Sequence, residues 1–286
     1  MKPFLAALLF TILAAGAPGQ TSVWTIRENG NTVYLAGSAH ILREKDFPLP
    51  AAFDAAFEEA DILVLEADID GVSNAHNMPD DFRRLFWLEN GETLRDRLSG
   101  RTCSLLEKKA AELSIPMESI SNMRPVIALT VLSTLKLMHL GFSLPGVDMH
   151  YLAMAKEKSM PLMYLESVAA HLEAALAMGD GEEEAYVLSS LKGLDDAGPE
   201  LAEILEAWRG GTGGVIERGL EELAGQFPET YRRTVADRNH AWLPLIVSYL
   251  ASPETEFVIA GAAHFYGPDG LLALLAGAGY AVEQVN

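Results

Sequence analysis

Two segments far apart in the chain share one arrangement of residue types that could perform chemistry. Residues 33–40 and 257–264 each consist of an apolar run, a glycine, two small residues and a histidine. The small residues permit a tight turn after a strand, and each copy is followed by a predicted loop, helix and strand. Two related half-units of this kind would bring His40 and His264 together. Paired imidazoles could then bind a divalent ion or serve as a general base.

Three carboxylates are predicted to join these histidines at one edge of a sheet. Glu66 and Glu166 each follow an apolar, strand-like run, and Asp148 stands at the predicted start of a helix. Ligands of open α/β sheets bind beyond the carboxyl ends of the strands, so these side chains could surround a divalent ion. The predicted metal ligands are His40, His264, Glu66 and Asp148. Glu66 and Glu166 are also predicted to act in catalysis, although Asp148 and Glu166 would serve equally as helix-cap or ion-pair groups.

The helix predicted over residues 231–250 turns a charged side chain inward. Arg238 shares a helical face with Trp242 and Ile246, and Asn239 lies beside it. A buried guanidinium needs an anionic partner, so we expect Arg238 to pair with an acidic residue or to stabilise developing negative charge on a substrate. Asn239 could orient a ligand or satisfy backbone groups. Both residues are predicted to belong to the catalytic set.

Other motifs are weak. Ser133 and Lys136 have the Ser-x-x-Lys spacing of some acyl enzymes, but they lie in an apolar helix without the companion motifs. The chain has no His-Glu-x-x-His segment, which excludes the common zincin arrangement. We interpret the five remaining histidines as surface or packing residues: His76, His139, His150, His171 and His240.

The elements that must position these residues alternate as in an α/β protein, with an α+β arrangement as the alternative. An Asn29-Gly30 turn predicts a hairpin at the start. Apolar runs predict strands at residues 23–26, 33–36, 62–65, 162–165, 257–260 and 280–285. The pattern indicates one domain over residues 20–286. This domain consists of two similar, pseudo-duplicated halves, each made of a strand, a Gly-x-x-His segment, a helix and a strand. The halves surround a central sheet, and a large helical insertion spans about residues 80–230.

The composition suits a packed globular protein and excludes one class of partner. Of the 286 residues, 49% are hydrophobic and 21% are charged, which argues against extended disorder. Forty acidic and 21 basic side chains give a formal net charge of −19. This charge would repel a phosphate backbone, so we predict no nucleic-acid partner. The composition carries no signal for an oligomeric state, and the single cysteine excludes an intrachain disulfide.

The N terminus has the layout of a secretory signal peptide. Lys2 precedes an apolar run over residues 4–15, and small residues follow it. We assign residues 1–19 to the signal peptide and predict a periplasmic or secreted protein. The apolar run is shorter than the roughly 20 residues of a membrane span, so membrane attachment is expected only if this segment stays uncleaved.

In their order along the chain, these motifs resemble the TraB/GumN family, which is related to the Tiki metalloproteases and more distantly to erythromycin-esterase-like proteins. The resemblance covers nearly the whole mature chain and is carried by residues 33–40, 63–66, 146–148, 165–166, 237–239 and 261–264, with Gly267 and Gly270. It implies an active centre made of the Gly-x-x-His pair and an acidic residue, which map onto His40, His264 and Glu66. The Tiki branch implies a metal-dependent peptidase that favours manganese or cobalt, and zinc suits the same donors.

We therefore expect an exported metal-dependent hydrolase of the Tiki-like type that acts on a peptide or protein substrate. Two alternatives stay open. One is an esterase-like hydrolase that uses His40 as a metal-free base. The other is a noncatalytic protein that binds a peptide or envelope ligand in the same cleft. Paired histidines beside carboxylates favour chemistry over binding.

Overall fold

A computed structural model describes residues 21–68, 85–142 and 145–285. The predicted signal peptide and His76 lie outside the described residues. Within them, the chain forms a six-stranded sheet with the order β4-β3-β5-β2-β1-β6. Its strands are β1 (Val23–Glu28), β2 (Asn31–Ser38), β3 (Ile62–Leu65), β4 (Leu162–Tyr164), β5 (Glu256–Gly261) and β6 (Val282–Gln284).

Helices cover both faces of this sheet and extend beyond it. In the described residues they are α1 (Ala51–Glu59), α2 (Leu94–Arg97), α3 (Gly100–Glu112), α4 (Pro125–His139), α5 (Val147–Lys158), α6 (Val168–Leu176), α7 (Glu183–Gly193), α8 (Ala197–Arg209), α9 (Gly214–Gln226), α10 (Pro228–Tyr231), α11 (Asp237–Tyr249) and α12 (Leu271–Gly277). No helix in this part of the chain is both long and apolar enough to cross a membrane. The mixed sheet and its helices confirm the predicted α/β class.

The predicted hairpin and the two predicted half-units are both visible in the sheet. Asn29 and Gly30 adopt positive φ values of 52° and 91° between the antiparallel strands β1 and β2, as a tight hairpin turn requires. The two Gly-x-x-His strands, β2 and β5, are parallel neighbours in which Ser38 is paired with Gly261. From β2 the chain passes through α1 to β3, and from β5 it passes through α12 to β6. The duplicated sequence pattern therefore corresponds to adjacent strands and to two helical crossovers.

One face of the sheet packs against α1, α5 and α8. Leu63 of β3 and Phe257 of β5 are fully buried against Phe53, Tyr151 and Trp208 of those helices. The indole N–H of Trp208 donates a 2.6 Å hydrogen bond to the carbonyl oxygen of Gly37. This contact fixes the backbone of β2 just before the first histidine.

The opposite face packs against α11 and α12. Leu35 of β2 and Val258 of β5 have no exposed surface, and they lie in one cluster with Trp242, Ile246 and Leu271. Because β2, β3 and β5 are buried on both faces, their sequences are continuous apolar runs without alternation.

The helix-rich segment predicted at about 80–230 has a core of its own. Helices α3, α4 and α7 enclose residues such as Leu106, Leu132 and Leu191, each of which is fully buried. The same segment also supplies strand β4 to the sheet and helix α5 to the sheet's first face. The chain thus leaves the sheet and returns to it within this segment.

The last helix begins later than the sequence indicates. Pro268 and Asp269 are residue types that suit the first turn of a helix, but α12 starts at Leu271. Gly267 has a φ of 83°, and the N–H of Gly270 donates to the carbonyl oxygen of Gly267. The chain therefore makes a separate turn before the helix, and this turn lies next to the second histidine.

Candidate functional site

The carboxyl ends of the parallel strands bring the predicted side chains to one edge of the sheet. Strands β2, β3, β4 and β5 all run in the same direction. Each of them is followed within three residues by one of the predicted site residues: His40, Glu66, Glu166 and His264. The site thus lies where open α/β sheets bind ligands.

Three of these side chains converge on the backbone of Gly261. A Cβ atom at this position would lie 2.9 Å from Nε2 of His40, 3.4 Å from Oε1 of Glu66 and 3.6 Å from Cδ2 of His264. Nε2 of His40 lies 3.9 Å from Oε1 of Glu66. Glycine is needed here because a side chain would fill the space that the three groups share.

A carboxylate behind the ring holds His40 in this orientation. Nδ1 of His40 lies 3.1 Å from Oδ2 of Asp148, whose other oxygen accepts a 3.0 Å hydrogen bond from Ser38. Desolvation opposes protonation of the ring, but the hydrogen bond and charge of Asp148, with the charge of Glu66, raise the pKa of His40 to about 9. The side chain of His40 remains 55% exposed. Nε2 is therefore the atom that it presents to the cleft.

The helix that carries Asp148 is held close to the first histidine by a glycine. The N–H of Val147 donates a 3.1 Å hydrogen bond to the carbonyl oxygen of Ala39. A Cβ atom on Gly146 would lie only 2.4 Å from the carbonyl carbon and oxygen of His40. The Gly146-Val147-Asp148 sequence thus lets the start of α5 approach His40 and aims the carboxylate at its ring.

Glu66 is a buried carboxylate with partners on both oxygens. Its Oε1 accepts a 2.7 Å hydrogen bond from the N–H of Gly261, and its Oε2 accepts one from Nη2 of Arg238. Burial alone would raise the pKa of this carboxyl group. That effect is outweighed, and the pKa lies well below its usual range, because of four neighbours: His264, His40, Arg238 and Gly261. Glu66 is therefore ionised.

Arg238 uses every guanidinium N–H inside the protein. Nε and Nη2 donate to the carboxylate of Glu166 at 3.1 and 2.7 Å, and Nη2 also donates to Glu66. Nη1 donates to the backbone oxygen of Thr234 at 3.2 Å and contacts Nε2 of His264 at 3.0 Å. These contacts account for all five donors of an arginine. Arg238 thus holds the acidic groups in place and has no donor left for a substrate oxyanion.

His264 is buried between hydrogen-bond partners that fix its tautomer. Its Nε2 accepts from Arg238, and its Nδ1 donates to Oδ1 of Asn239 at 2.7 Å. The Trp242 ring lies against the imidazole, with centroids 4.5 Å apart. Burial, together with the charges of Arg238 and His40, lowers the pKa of His264 to about 4 despite the attraction of Glu66 and Glu166. The second histidine is therefore neutral, in contrast to His40.

A short π-helical segment leads into the helix that carries Arg238 and Asn239, both of which point inward. Residues Arg232–Ala236 form this segment immediately before α11. A π turn contains an extra residue and is frequent at functional sites. Asn239 is fully buried, and only 13% of the Arg238 side chain is exposed. Two consecutive helical residues therefore reach the same site.

Comparison with known protein families gives a match over most of the chain. A family model described as the TraB/PrgY/gumN family matches residues 22–284. The chain belongs to the TraB/PrgY/gumN family. Comparison with curated protein sequences gives no match. The family match spans both Gly-x-x-His segments and every residue of the site described above.

In this TraB-family site, one side chain that contacts the predicted residues is absent from the sequence-based prediction. We treated His171 as a surface or packing residue, but its Nδ1 lies 2.9 Å from Oε1 of Glu166, 3.7 Å from Oε2 of Glu66 and 3.3 Å from Nη2 of Arg238. His171 follows Glu166 by five residues on α6. The repeat could not reveal it, because His171 has no counterpart in the other half.

The site offers donor atoms that suit a divalent metal ion. Glu66, Glu166 and His171 have ligand atoms that all lie within 4.8 Å of one another. Carboxylate oxygens and imidazole nitrogens are the donors that zinc and manganese use in proteins. The set predicted from sequence shares only Glu66 with this cluster, and Asp148 lies behind His40, where it orients the ring. Arg238 contacts every member of the cluster, so an ion at that point requires the guanidinium to withdraw.

The neutral state of His264 predicts a pH dependence of stability. The pKa of this residue is about 4 in the folded protein against its ordinary value of 6.5. Between about pH 4 and pH 6.5, the unfolded chain binds a proton that the folded chain excludes. The free energy of unfolding therefore rises with pH across this range. In chelator-treated protein, we expect the free energy of unfolding to rise by up to about 3 kcal/mol across this window. Urea unfolding at several pH values should show a flatter dependence for His264→Gln, and an unchanged slope would contradict the burial of a neutral imidazole.

Proposed function

We propose that the protein is an exported, metal-dependent hydrolase that acts on peptides or proteins. The observation that supports this proposal is the convergence of His40, Glu66 and His264 on Gly261 at the carboxyl edge of the sheet. The cleft thus contains an exposed imidazole, a buried ionised carboxylate and a neutral buried imidazole. These groups can donate a proton, accept a proton and coordinate a metal ion. The signal-peptide pattern over residues 1–19 supports export.

The residues available to hold an ion are Glu66, Glu166 and His171, with His40 and His264 beside them. When bound, a divalent ion would polarise the scissile carbonyl and lower the pKa of a water molecule. The chain's own groups have separate roles. Glu66 would accept a proton from a water molecule near Gly261, and His40, held by Asp148, would donate a proton to the leaving group.

One observation favours a second candidate, a metal-free hydrolase. Arg238 already pairs with both Glu66 and Glu166 and neutralises one of their two negative charges, so the acidic cluster is partly balanced without a cation. The Asp148–His40 pair resembles the acid and imidazole of a catalytic dyad, with Nε2 facing the cleft beside Glu66. In this alternative, His40 would act as the base in its neutral form, so cleavage would increase as the pH rises toward about 9.

Metal removal distinguishes the two candidates. The purified protein would be dialysed against a chelator, assayed on a mixed peptide library by mass spectrometry, and assayed again after addition of manganese, cobalt or zinc. We expect cleavage to disappear on chelation and to return with at least one metal, because the donors suit a divalent ion. Undiminished cleavage after exhaustive chelation would support the metal-free candidate. Peptide binding without any product would contradict both and support a binding protein.

A further inference from the structure

A cavity lies beside the loop that follows His264. Its volume is about 560 Å³, within the roughly 300–1,000 Å³ range of small-ligand sites. One wall is a face of α9, and the opposite wall is formed by Tyr231 and the turn at residues 267–269. The apolar lining consists of Leu220, Ala224, Tyr231 and Pro268.

The charged side chains that line this cavity are all negative. Glu217, Glu221 and Asp269 line it, and its lining contains no lysine, arginine or histidine. Glu217 and Glu221 are exposed and four residues apart on α9. Among the described residues, neither has a side-chain hydrogen bond or ion pair. Like charges at this spacing repel each other, so a cation between them would relieve the repulsion.

Asp269 connects the cavity to the candidate catalytic centre. Its carboxylate is 34% exposed, accepts a 2.9 Å hydrogen bond from the hydroxyl group of Tyr231 and lies 3.5 Å from Nε2 of the exposed His240. The side-chain amide of Asn239 donates to the carbonyl oxygen of Asp269 at 2.7 Å and to that of His264 at 3.0 Å. Asn239 also accepts from the His264 ring. One side chain therefore joins the cavity wall to the imidazole.

We propose that this cavity binds the side chain of a lysine or arginine in a peptide ligand. The alkyl stem would pack on Leu220, Ala224 and Pro268, and the cationic end would lie between the carboxylates and the Tyr231 ring. Apolar walls with acidic groups fit such a side chain better than a purely apolar or an anionic one. The inference rests on the proposed function, because it makes the cavity a specificity subsite of the same centre.

The test measures binding and cleavage separately. The probes are fluorescein-labelled glycine-serine nonapeptides that differ only at one central position, which is lysine, arginine, norleucine or glutamate. Binding to the purified protein is followed by fluorescence anisotropy in the presence of chelator, so that turnover does not interfere. We expect the lysine and arginine peptides to bind about tenfold more tightly than the norleucine peptide, a difference of about 1.4 kcal/mol.

Two charge-matched double variants distinguish binding in the cavity from a general attraction of basic peptides to an acidic protein. Glu217→Gln with Glu221→Gln should abolish the preference for basic peptides. Glu200→Gln with Glu222→Gln removes the same charge from exposed positions outside the cavity lining and should retain the preference. Equal binding of lysine and norleucine peptides, or an equal loss of preference in both variants, would overturn the proposal.

Cleavage of the same peptides by the metal-loaded protein tests the underlying function. Cleavage with no preference for basic peptides would overturn the subsite and leave the hydrolase proposal intact. Basic-selective binding that depends on Glu217 and Glu221, with no cleavage of any peptide, would support the subsite and contradict hydrolysis.

Discussion

Replacing His40 with alanine is expected to lower kcat/KM for peptide cleavage by about 10²–10⁴-fold, the usual contribution of a positioned acid or base. The side chain is 55% exposed and contacts Asp148 and Glu66 at the edge of the site. Its removal leaves the packed core untouched but also removes the charged ring that Asp148 and Glu66 hold, so the free energy of unfolding should fall by about 1–2 kcal/mol and the variant should stay folded. Steady-state kinetics on a peptide that the wild type cleaves, together with urea unfolding, would measure both effects.

His139→Ala is the matched control for this variant. His139 is also exposed, and it lies at the end of α4, outside the candidate site. The His139→Ala variant should retain wild-type turnover and stability. If His40→Ala retained wild-type turnover, the assignment of His40 to the catalytic centre would be wrong. A loss of turnover in His40→Ala that accompanied unfolding would point instead to a structural role.

The parts of the site that could be predicted are those that repeat. The two Gly-x-x-His segments mark the ends of β2 and β5, and parallel strands place such ends at the same sheet edge. The sequence therefore indicated that His40 and His264 meet. Glu66 could be predicted for a similar reason, because an uninterrupted apolar run ends immediately before it.

The contacts among these residues could not be predicted, because they depend on side chains brought together by distant elements. Helical spacing showed that Arg238 points inward, but it could not show that one guanidinium bonds Glu66, Glu166 and His264 together. Nor could it show that His171 reaches the same carboxylates from α6. The opposite protonation states of His40 and His264 depend on their different burial and partners, although their sequence settings are alike.

The buried Glu66–Arg238 pair carries the largest predicted effect on stability. Replacing Glu66 with glutamine keeps an oxygen for the N–H of Gly261 but places an uncharged amide against the guanidinium. Removing one partner of a buried ion pair costs about 3–5 kcal/mol. Since Glu166 still contacts Arg238, we expect a loss near the lower end, about 3 kcal/mol. Cleavage should also fall below detection, because the carboxylate that faces the cleft is gone.

The pH dependence gives this prediction a second readout. The pKa of Glu66 in the folded protein is lower than its ordinary value of 4.5. Its contribution to stability is therefore present above that pH and is lost as the pH falls toward the folded-state pKa. Glu66→Gln has no such titration, so the difference in the free energy of unfolding between wild type and variant should shrink on acidification below pH 4.5.

A surface ion pair provides the control for Glu66→Gln. Arg27 and Glu283 lie 3.4 Å apart with exposed side-chain fractions of 56% and 73%, and such pairs contribute about 0–1 kcal/mol. Urea unfolding should thus separate Glu66→Gln from Glu283→Gln by at least about 2 kcal/mol. If the two variants were equally stable, Glu166 alone would suffice to balance Arg238. Glu66 would then contribute nothing measurable to the stability of the fold. The remaining role for its buried, ionised carboxylate would be in the chemistry of the site.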